Sequence, residues 1–125
     1  MAAKSLLRVT AVLEGATALA FLLLPSLPSA LLFGQTPSTA LGVVFGRFFG
    51  AVLLSLSLAC WWAANDPRSP AASGIVRTIL IYDVVAIVLL AYAHFALGLS
   101  GIALWPGIIV HILLGAWCAA ILQAK

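Results

Sequence analysis

Charged residues are scarce in this chain. Only 7% of its 125 residues are Asp, Glu, Lys or Arg, whereas 65% are hydrophobic. The six basic residues are spread along the sequence and form no patch, so the net charge of +3 does not indicate a nucleic-acid binder. A soluble chain of this length cannot bury so much apolar surface, and we therefore expect a membrane to cover it.

Cysteine is also rare, and recognised catalytic motifs are missing. Cys60 and Cys118 lie far apart in apolar surroundings, with no C-x-x-C and no Cys/His cluster at metal-binding spacing. We expect two inert apolar cysteines, with a redox pair as the alternative, and no metal site. No nucleophile–base motif, Gly-rich phosphate loop or Walker pattern occurs, and the sequence identifies no cofactor.

Long apolar segments make up most of the chain. Four of them, at residues 6–24, 41–63, 75–96 and 103–122, are close to the ~20 residues that span hydrocarbon as a helix. Helices are required because hydrocarbon offers no partners for open backbone groups. The sequence therefore predicts an all-α fold, an integral membrane bundle of four transmembrane helices that forms a single domain over residues 1–125.

The connections between these segments differ in charge. Segments 25–41 and 97–102 contain no charged residue. The basic residues near the other helix ends all fall on one side, and they are Lys4, Arg8, Arg68, Arg77 and Lys125. The positive-inside rule makes that side cytoplasmic, so we predict a multi-pass protein of the cell inner (plasma) membrane with both termini inside. The apolar connection 25–41 is expected to lie on the outer interface or over the mouth of the bundle.

Glycines recur at helical spacing in two of the segments. Gly42, Gly46 and Gly50 stand four residues apart in the second segment, and Gly107 and Gly115 share a face in the last. In a bilayer, a face of small residues lets a second helix approach closely. We predict that these glycines are helix-packing positions.

Ionisable residues inside the apolar segments define a candidate polar centre. With a rise of ~1.5 Å per residue, Glu14, Arg47, Asp83 and His111 fall at similar depths in the bilayer. An arginine in hydrocarbon is costly, so Arg47 is expected to contact Glu14 or Asp83. His94, near the outer end of the third segment, is expected to be an interfacial histidine, and it completes the set of candidate ligand-binding or ion-pathway residues. Such a network either locks the register of the helices or binds a ligand or moves protons, and the sequence leaves both open.

Short motifs resemble two groups of membrane proteins. The run GRFFGAVLLSLSLACWW, a Glu in the first segment, an Asp in the third and a neutral outer connection resemble the small bacterial four-helix inner-membrane proteins of the DoxX-like kind. The runs GRFFGAVLLSLSL and AYAHFALG are also loosely similar to the ergosterol-biosynthesis scaffold family. The positions that match its recurring Arg-x-Phe-Gly and His-Phe are Arg47, Phe49, Gly50, His94 and Phe95. The resemblance implies a non-catalytic membrane adaptor that tethers other enzymes or binds an apolar lipid.

The leading functional hypothesis is a small membrane accessory or scaffold protein that binds a lipid-like or other apolar small molecule between its helices. The first alternative is a proton- or ion-linked channel or transporter that works as an oligomer. The second is a membrane enzyme that uses Glu14 or Asp83 as acid or base on an apolar substrate. The expected partners are membrane lipid, other membrane proteins and further copies of the chain, and nucleic acid is not among them.

Overall fold

The computed structural model describes residues 1–124, and these residues form helices and short connections without any strand. The helices are α1 (Ala2–Leu23), α2 (Ser26–Phe33), α3 (Ala40–Ala63), α4 (Pro70–Phe95) and α5 (Leu104–Gln123). Lys125, which the sequence assigns to the basic side of the bundle, lies outside the described residues.

Four of the helices, α1, α3, α4 and α5, are long and apolar enough to cross a membrane. The shortest, α5, has 20 residues and is about 30 Å long at the usual rise. The prediction of four such helices is confirmed, and by length and composition the chain is a multi-pass membrane protein. The largest difference in bounds is at α4, which begins at Pro70 rather than at residue 75. Ser69 caps this helix by accepting a hydrogen bond from the Ala72 N–H, and proline suits its first turn.

The bundle has two ends that differ in structure. The terminal end carries the start of α1, the connection 64–69 and the end of α5, and the α2 end carries α2 and the connection 96–103. At the terminal end the guanidinium of Arg8 donates to Asn65 Oδ1 and lies 3.8 Å from the centre of the Trp61 ring. The start of α1 is thereby joined to the end of α3 and the connection that follows it.

The short helix α2 was not expected from the sequence. The segment 25–41 is predicted as a connection, but residues Ser26–Phe33 form a helix that ends at Gly34, which has a positive φ of 71°. The N–H groups of Gly101 and Ala103 donate to carbonyls of this helix, at 3.0 and 2.7 Å. The α2 segment therefore closes one end of the bundle, attached by backbone hydrogen bonds to the residues that precede α5.

The long helices pack as two antiparallel pairs, α1 with α3 and α4 with α5, and the contacts between the pairs are fewer. The first pair is close because both partners use glycine: a Cβ at Gly50 would lie 2.8 Å from the Ala18 carbonyl oxygen, and one at Gly15 would lie 2.8 Å from Ser57 Oγ. The Ser57 hydroxyl also donates to the Ala11 carbonyl at 2.6 Å. The α1 and α3 backbones are thus in direct contact.

The main hydrophobic core fills only the terminal half of the bundle. It takes side chains from all four long helices and from Ala64, which directly follows α3. The helical members are Leu6, Leu7, Ala11, Cys60, Ala72, Val76, Ile79, Leu114, Cys118 and Ile121. A smaller core of Leu90, Leu104 and Ile108 lies between α4 and α5 in the other half. Consequently the two helix pairs pack closely against each other at the terminal end and less closely at the α2 end.

Candidate functional site

A cavity of about 590 Å³ lies between the two helix pairs in the half of the bundle that carries α2. Leu32 and Phe33 of α2 contribute to its wall, and most of the remaining lining is apolar. The other apolar residues that line it are Leu13, Phe21, Phe49, Ala86, Leu89, Leu90, Ala103, Pro106, Gly107 and Val110. Its polar lining comes from Glu14, Thr17, Tyr82 and His111. The cavity is therefore an apolar space with a few polar groups.

Three of these polar side chains, Glu14, Tyr82 and His111, belong to a connected cluster at mid-height of the bundle. His111 Nδ1 lies 2.8 Å from Asp83 Oδ1, and the Asp83 residue is fully buried, at 0% exposure. Because Nδ1 is engaged by the carboxyl group, Nε2 is the ring nitrogen of His111 that is left for another partner. Gly115, one turn further along α5, leaves room for this carboxyl: a Cβ there would lie 3.5 Å from Asp83 Cβ.

Glu14 and Tyr82 form the other half of the cluster. The Tyr82 hydroxyl donates to Glu14 Oε2 at 3.3 Å, and Glu14 is only 5% exposed. The Tyr82 ring meets the His111 ring edge to face, with centroids 5.4 Å apart. Three helices thus bring a Glu–Tyr pair and an Asp–His pair side by side, with Glu14, Tyr82 and His111 reaching the cavity.

The cluster does not satisfy all of its own hydrogen-bonding atoms. Asp83 Oδ2 and Thr10 Oγ1 are buried and have no hydrogen-bond partner within residues 1–124. Thr10 lies one helical turn from Glu14 on α1 and is fully buried. Buried polar atoms are nearly always paired, so the two unpaired oxygens in the interior of the bundle are unusual.

Arg47 is not part of this centre. Its side chain is exposed on α3, beside a surface groove of about 250 Å³ that it lines with Val44, Phe48 and Ala51. Within the described residues, the contact between a basic and an acidic side chain is that of His111 with Asp83, and Arg47 has no such contact. The predicted contact of Arg47 with Glu14 or Asp83 is therefore wrong. The rise along the helix gives a residue's depth but leaves its direction open, and Arg47 points away from the other helices.

His94 lies outside the cavity, in an aromatic group at the α2 end. Its ring meets Phe95 at 4.8 Å and Trp105 at 5.3 Å between centroids, both edge to face. Its Nδ1 is buried without a hydrogen-bond partner among residues 1–124. The structure therefore separates His94 from the other candidate residues.

The glycines singled out in the sequence have different surroundings. Gly50 lies against the α1 backbone, as described above, and Gly46 faces Pro25, whose Cβ would be 3.1 Å from an added Cβ. The atoms nearest to an added Cβ at Gly42 belong to Pro37 and Thr39, which precede its own helix. Gly107 faces α2 and α4, where an added Cβ would lie 3.5 Å from a Leu32 methyl carbon and 3.8 Å from one of Leu90.

Tyr82 and the aromatic lining of the cavity are the functional features that the sequence reasoning missed. Tyrosine in a membrane helix is normally found at the interfaces, where its hydroxyl reaches water. Tyr82 instead lies in the middle of α4, where its hydroxyl needs a protein partner. A tyrosine in the middle of a membrane helix and next to Asp83 was the sequence feature that could have identified Tyr82 as part of the site.

Both cysteines are free and buried. Among residues 1–124, no group of three or more His, Cys, Asp or Glu side chains is arranged to hold a metal ion. The groups at the cavity that can donate, accept or transfer protons are the Glu14 carboxyl, the Tyr82 phenol and the His111 imidazole.

No protein-family model, no curated protein and no solved structure matches this chain.

Proposed function

We propose that this chain is a small membrane accessory protein that binds a lipid-like or other apolar small molecule in the cavity between its helix pairs. The observation that carries the proposal is the form of the cavity, an apolar space of about 590 Å³ with hydrogen-bonding side chains concentrated on Glu14, Tyr82 and His111. Ligand sites in proteins commonly have this volume and this combination of apolar walls with a few polar groups.

The packing of the bundle favours binding over conduction. A channel or transporter pore requires a polar path through the molecule, but the terminal half is filled by the hydrophobic core and Asp83 is fully buried. The cavity therefore has an apolar floor beneath its polar cluster. A molecule that enters it is retained there or leaves on the same side.

A membrane enzyme is the second candidate, and the Asp83–His111 pair favours it. A histidine held by a buried carboxylate, with its other ring nitrogen free, is an arrangement that serves general acid–base catalysis. His111 lines the same cavity as Glu14, so a bound molecule would lie beside both groups. In this reading the apolar molecule is a substrate rather than a ligand.

We further propose that the protein lies in the cell inner (plasma) membrane with both termini in the cytoplasm. Lys4, Arg8, Arg68 and Arg77 are at or near the terminal end of the bundle, whereas Arg47 is the basic residue nearest the α2 end. The positive-inside rule then assigns the terminal end to the cytoplasm. The α2 end, and with it the half of the bundle that contains the cavity, would then lie in the outer leaflet.

Native mass spectrometry of the protein extracted from its membranes tests ligand binding. The wild type is expected to carry a small-molecule adduct. Ala86→Phe, which fills the cavity, should lose that adduct, whereas Val88→Phe should retain it because Val88 is 61% exposed on the outer face of the same helix. An adduct that all three proteins carry equally would be surface lipid, and this result would contradict the proposal. A wild-type protein without any adduct would contradict it as well.

The same measurement separates a ligand from a substrate. If the protein is an enzyme, His111→Gln should accumulate an adduct whose mass differs from that in the wild type, because the substrate is bound and not converted. If the protein only binds, the two adducts should have the same mass. Extraction of the adduct and comparison of its fragmentation would identify the chemical change.

A further inference from the structure

We infer that the molecule bound in this cavity is an organic cation, held by the Glu14 carboxylate and by aromatic rings. The inference rests on the proposed function, since it names the chemical class of ligand for the same cavity. It follows from the distribution of charge around the cavity and from the identity of the side chains that form its walls.

The cavity has one carboxyl group, that of Glu14, but no fixed positive charge. No lysine or arginine is among its lining residues. The titratable side chains near the Glu14 carboxyl are Tyr82, which is hydrogen-bonded to it, Asp83 from α4, His111 from α5 and Cys60 from α3. Of these, only a histidine can become a cation, and it is already bound to a carboxyl group.

The charge balance leaves Glu14 without a counter-ion. The Asp83–His111 pair supplies no net positive charge, because it is neutral as an ion pair or as an acid beside a neutral imidazole, and it carries one negative charge as a carboxylate beside a neutral imidazole. An ionised carboxylate in an apolar cavity requires a positive partner. Without one, Glu14 is held as the neutral acid. A cationic ligand supplies that partner.

The walls of the cavity suit the rest of such a molecule. Phe21, Phe33, Phe49 and Tyr82 all line it, and Phe21 and Phe49 meet edge to face with centroids 4.9 Å apart. Aromatic faces attract organic cations through their quadrupoles, most strongly where water is excluded. The volume of about 590 Å³ lies in the range of about 300–1,000 Å³ that drug-sized ligands occupy.

Binding is an exchange of a proton for the cation. The O–H bond of the Glu14 acid breaks, the proton leaves to the solvent, and the carboxylate that remains pairs with the incoming cation. No electron is transferred and no covalent bond to the ligand forms. The net charge of the site is the same before and after binding.

Tetraphenylphosphonium is the probe for this inference, because it is a permanent organic cation, and triphenylphosphine oxide is its neutral counterpart. The detergent-purified wild type should bind tetraphenylphosphonium saturably and release about one proton per cation into weakly buffered solution. Glu14→Gln should weaken that binding by roughly tenfold or more and abolish the proton release. Binding of triphenylphosphine oxide should be unchanged by Glu14→Gln, which shows that the cavity is intact.

Two variants complete the experiment. Asp66→Asn removes the same charge from an exposed position in the 64–69 connection and should leave tetraphenylphosphonium binding as in the wild type. Glu14→Asp retains the carboxylate and should bind the cation more tightly than Glu14→Gln does. Equal affinity of the wild type and Glu14→Gln for the cation overturns the inference. Binding of the neutral probe alone also overturns it, but this result is consistent with the proposed function. If neither probe binds and Ala86→Phe retains the same adduct as the wild type, the proposed function fails as well.

Discussion

At the scale of single residues, the fully buried carboxyl group of Asp83 depends on one side chain. His111 supplies its only hydrogen bond among the described residues, and the second carboxyl oxygen has none. Removal of one member of a buried pair leaves an uncompensated polar group, whereas replacement of both by apolar residues is often nearly neutral. Replacement of His111 alone should therefore lower the free energy of unfolding more than replacement of both His111 and Asp83.

His111→Leu is expected to lower the free energy of unfolding by about 3–5 kcal/mol, because it leaves the Asp83 carboxyl buried without a partner. Adding Asp83→Leu to the same protein should recover most of that loss. Denaturation of the purified variants in mixed micelles measures both values. If His111→Leu unfolds at the same denaturant concentration as the wild type, the pair does not stabilise the bundle.

Two glycines offer a matched test of helix packing. A Cβ at Gly50 would lie 2.8 Å from the Ala18 carbonyl oxygen and 2.9 Å from the Leu22 amide nitrogen, and backbone atoms cannot move aside easily. At Gly74, in contrast, an added Cβ meets no atom within 4 Å. Both glycines are helical, so the same gain in helix propensity applies to each.

Gly50→Ala should therefore destabilise the bundle by about 1–3 kcal/mol through overpacking of α1 against α3. Gly74→Ala should stabilise it by up to about 1 kcal/mol, the propensity difference between alanine and glycine. Thermal unfolding in one detergent gives the two changes side by side. Similar melting temperatures for both variants would mean that α1 and α3 are not in close backbone contact.

For single residues, the sequence predicted which side chains lie at the same depth in the membrane, but it did not predict the direction in which each side chain points. The spacing brought Glu14, Asp83 and His111 to one depth, and the structure places these three together. The same arithmetic assigned Arg47 to the group, although it points outward. Apolar residues surround Arg47 on every side of α3, so the sequence contained no periodic signal that would have given its direction.

At the scale of elements, α2 forms part of the cavity wall and is held by hydrogen bonds to the residues before α5. Its Leu31 and Leu32 carbonyls accept hydrogen bonds from the N–H groups of Ala103 and Gly101. Gly101 permits this approach, because an added Cβ would collide with the Leu31 carbonyl and lie 2.6 Å from the Ala30 carbonyl oxygen. Leu32 and the neighbouring Phe33 then line the cavity.

Gly101→Ala should loosen this attachment without altering the long helices. We expect faster amide hydrogen exchange at Ala103 and at position 101 itself, while exchange in the middle of α1 and α3 stays as in the wild type. Ser100→Ala, at the exposed preceding residue, is the control and should leave these rates unchanged. If Gly101→Ala exchanges like the wild type, α2 is not held by the hydrogen bonds described.

The long helices were predictable to within a few residues, because a helix satisfies its own backbone hydrogen bonds in hydrocarbon. Their apolar runs are also bounded by polar or proline-containing connections. The short helix α2 was not, since an apolar segment with three prolines (Pro25, Pro28 and Pro37) reads equally well as a loop. Its helical form depends on contacts with α1 and α5 that are distant in the sequence. Local pattern alone does not contain those contacts.

At the scale of the whole molecule, the cavity is a consequence of how the helices pair. Glycine draws α1 and α3 together, and α4 packs on α5, so the two pairs meet as separate units. The hydrophobic core joins the units at the terminal end, and α2 spans them at the other. No single helix carries a pattern for the space that remains between them, which is why the sequence predicted the polar residues but not the cavity.

The orientation of this bundle in the membrane determines which leaflet supplies the ligand, and cysteine labelling tests it. Ser38 and Ser100 are exposed at the α2 end, and Ala71 is exposed near the terminal end, at the start of α4. The native cysteines are buried and should give little background. In intact cells, a membrane-impermeant maleimide should label Ser38→Cys and Ser100→Cys but label Ala71→Cys only after the membrane is opened. Labelling of Ala71→Cys in intact cells, with protection of the other two, would reverse the orientation and place the cavity on the cytoplasmic side, since the α2 end and the cavity belong to the same half of the bundle.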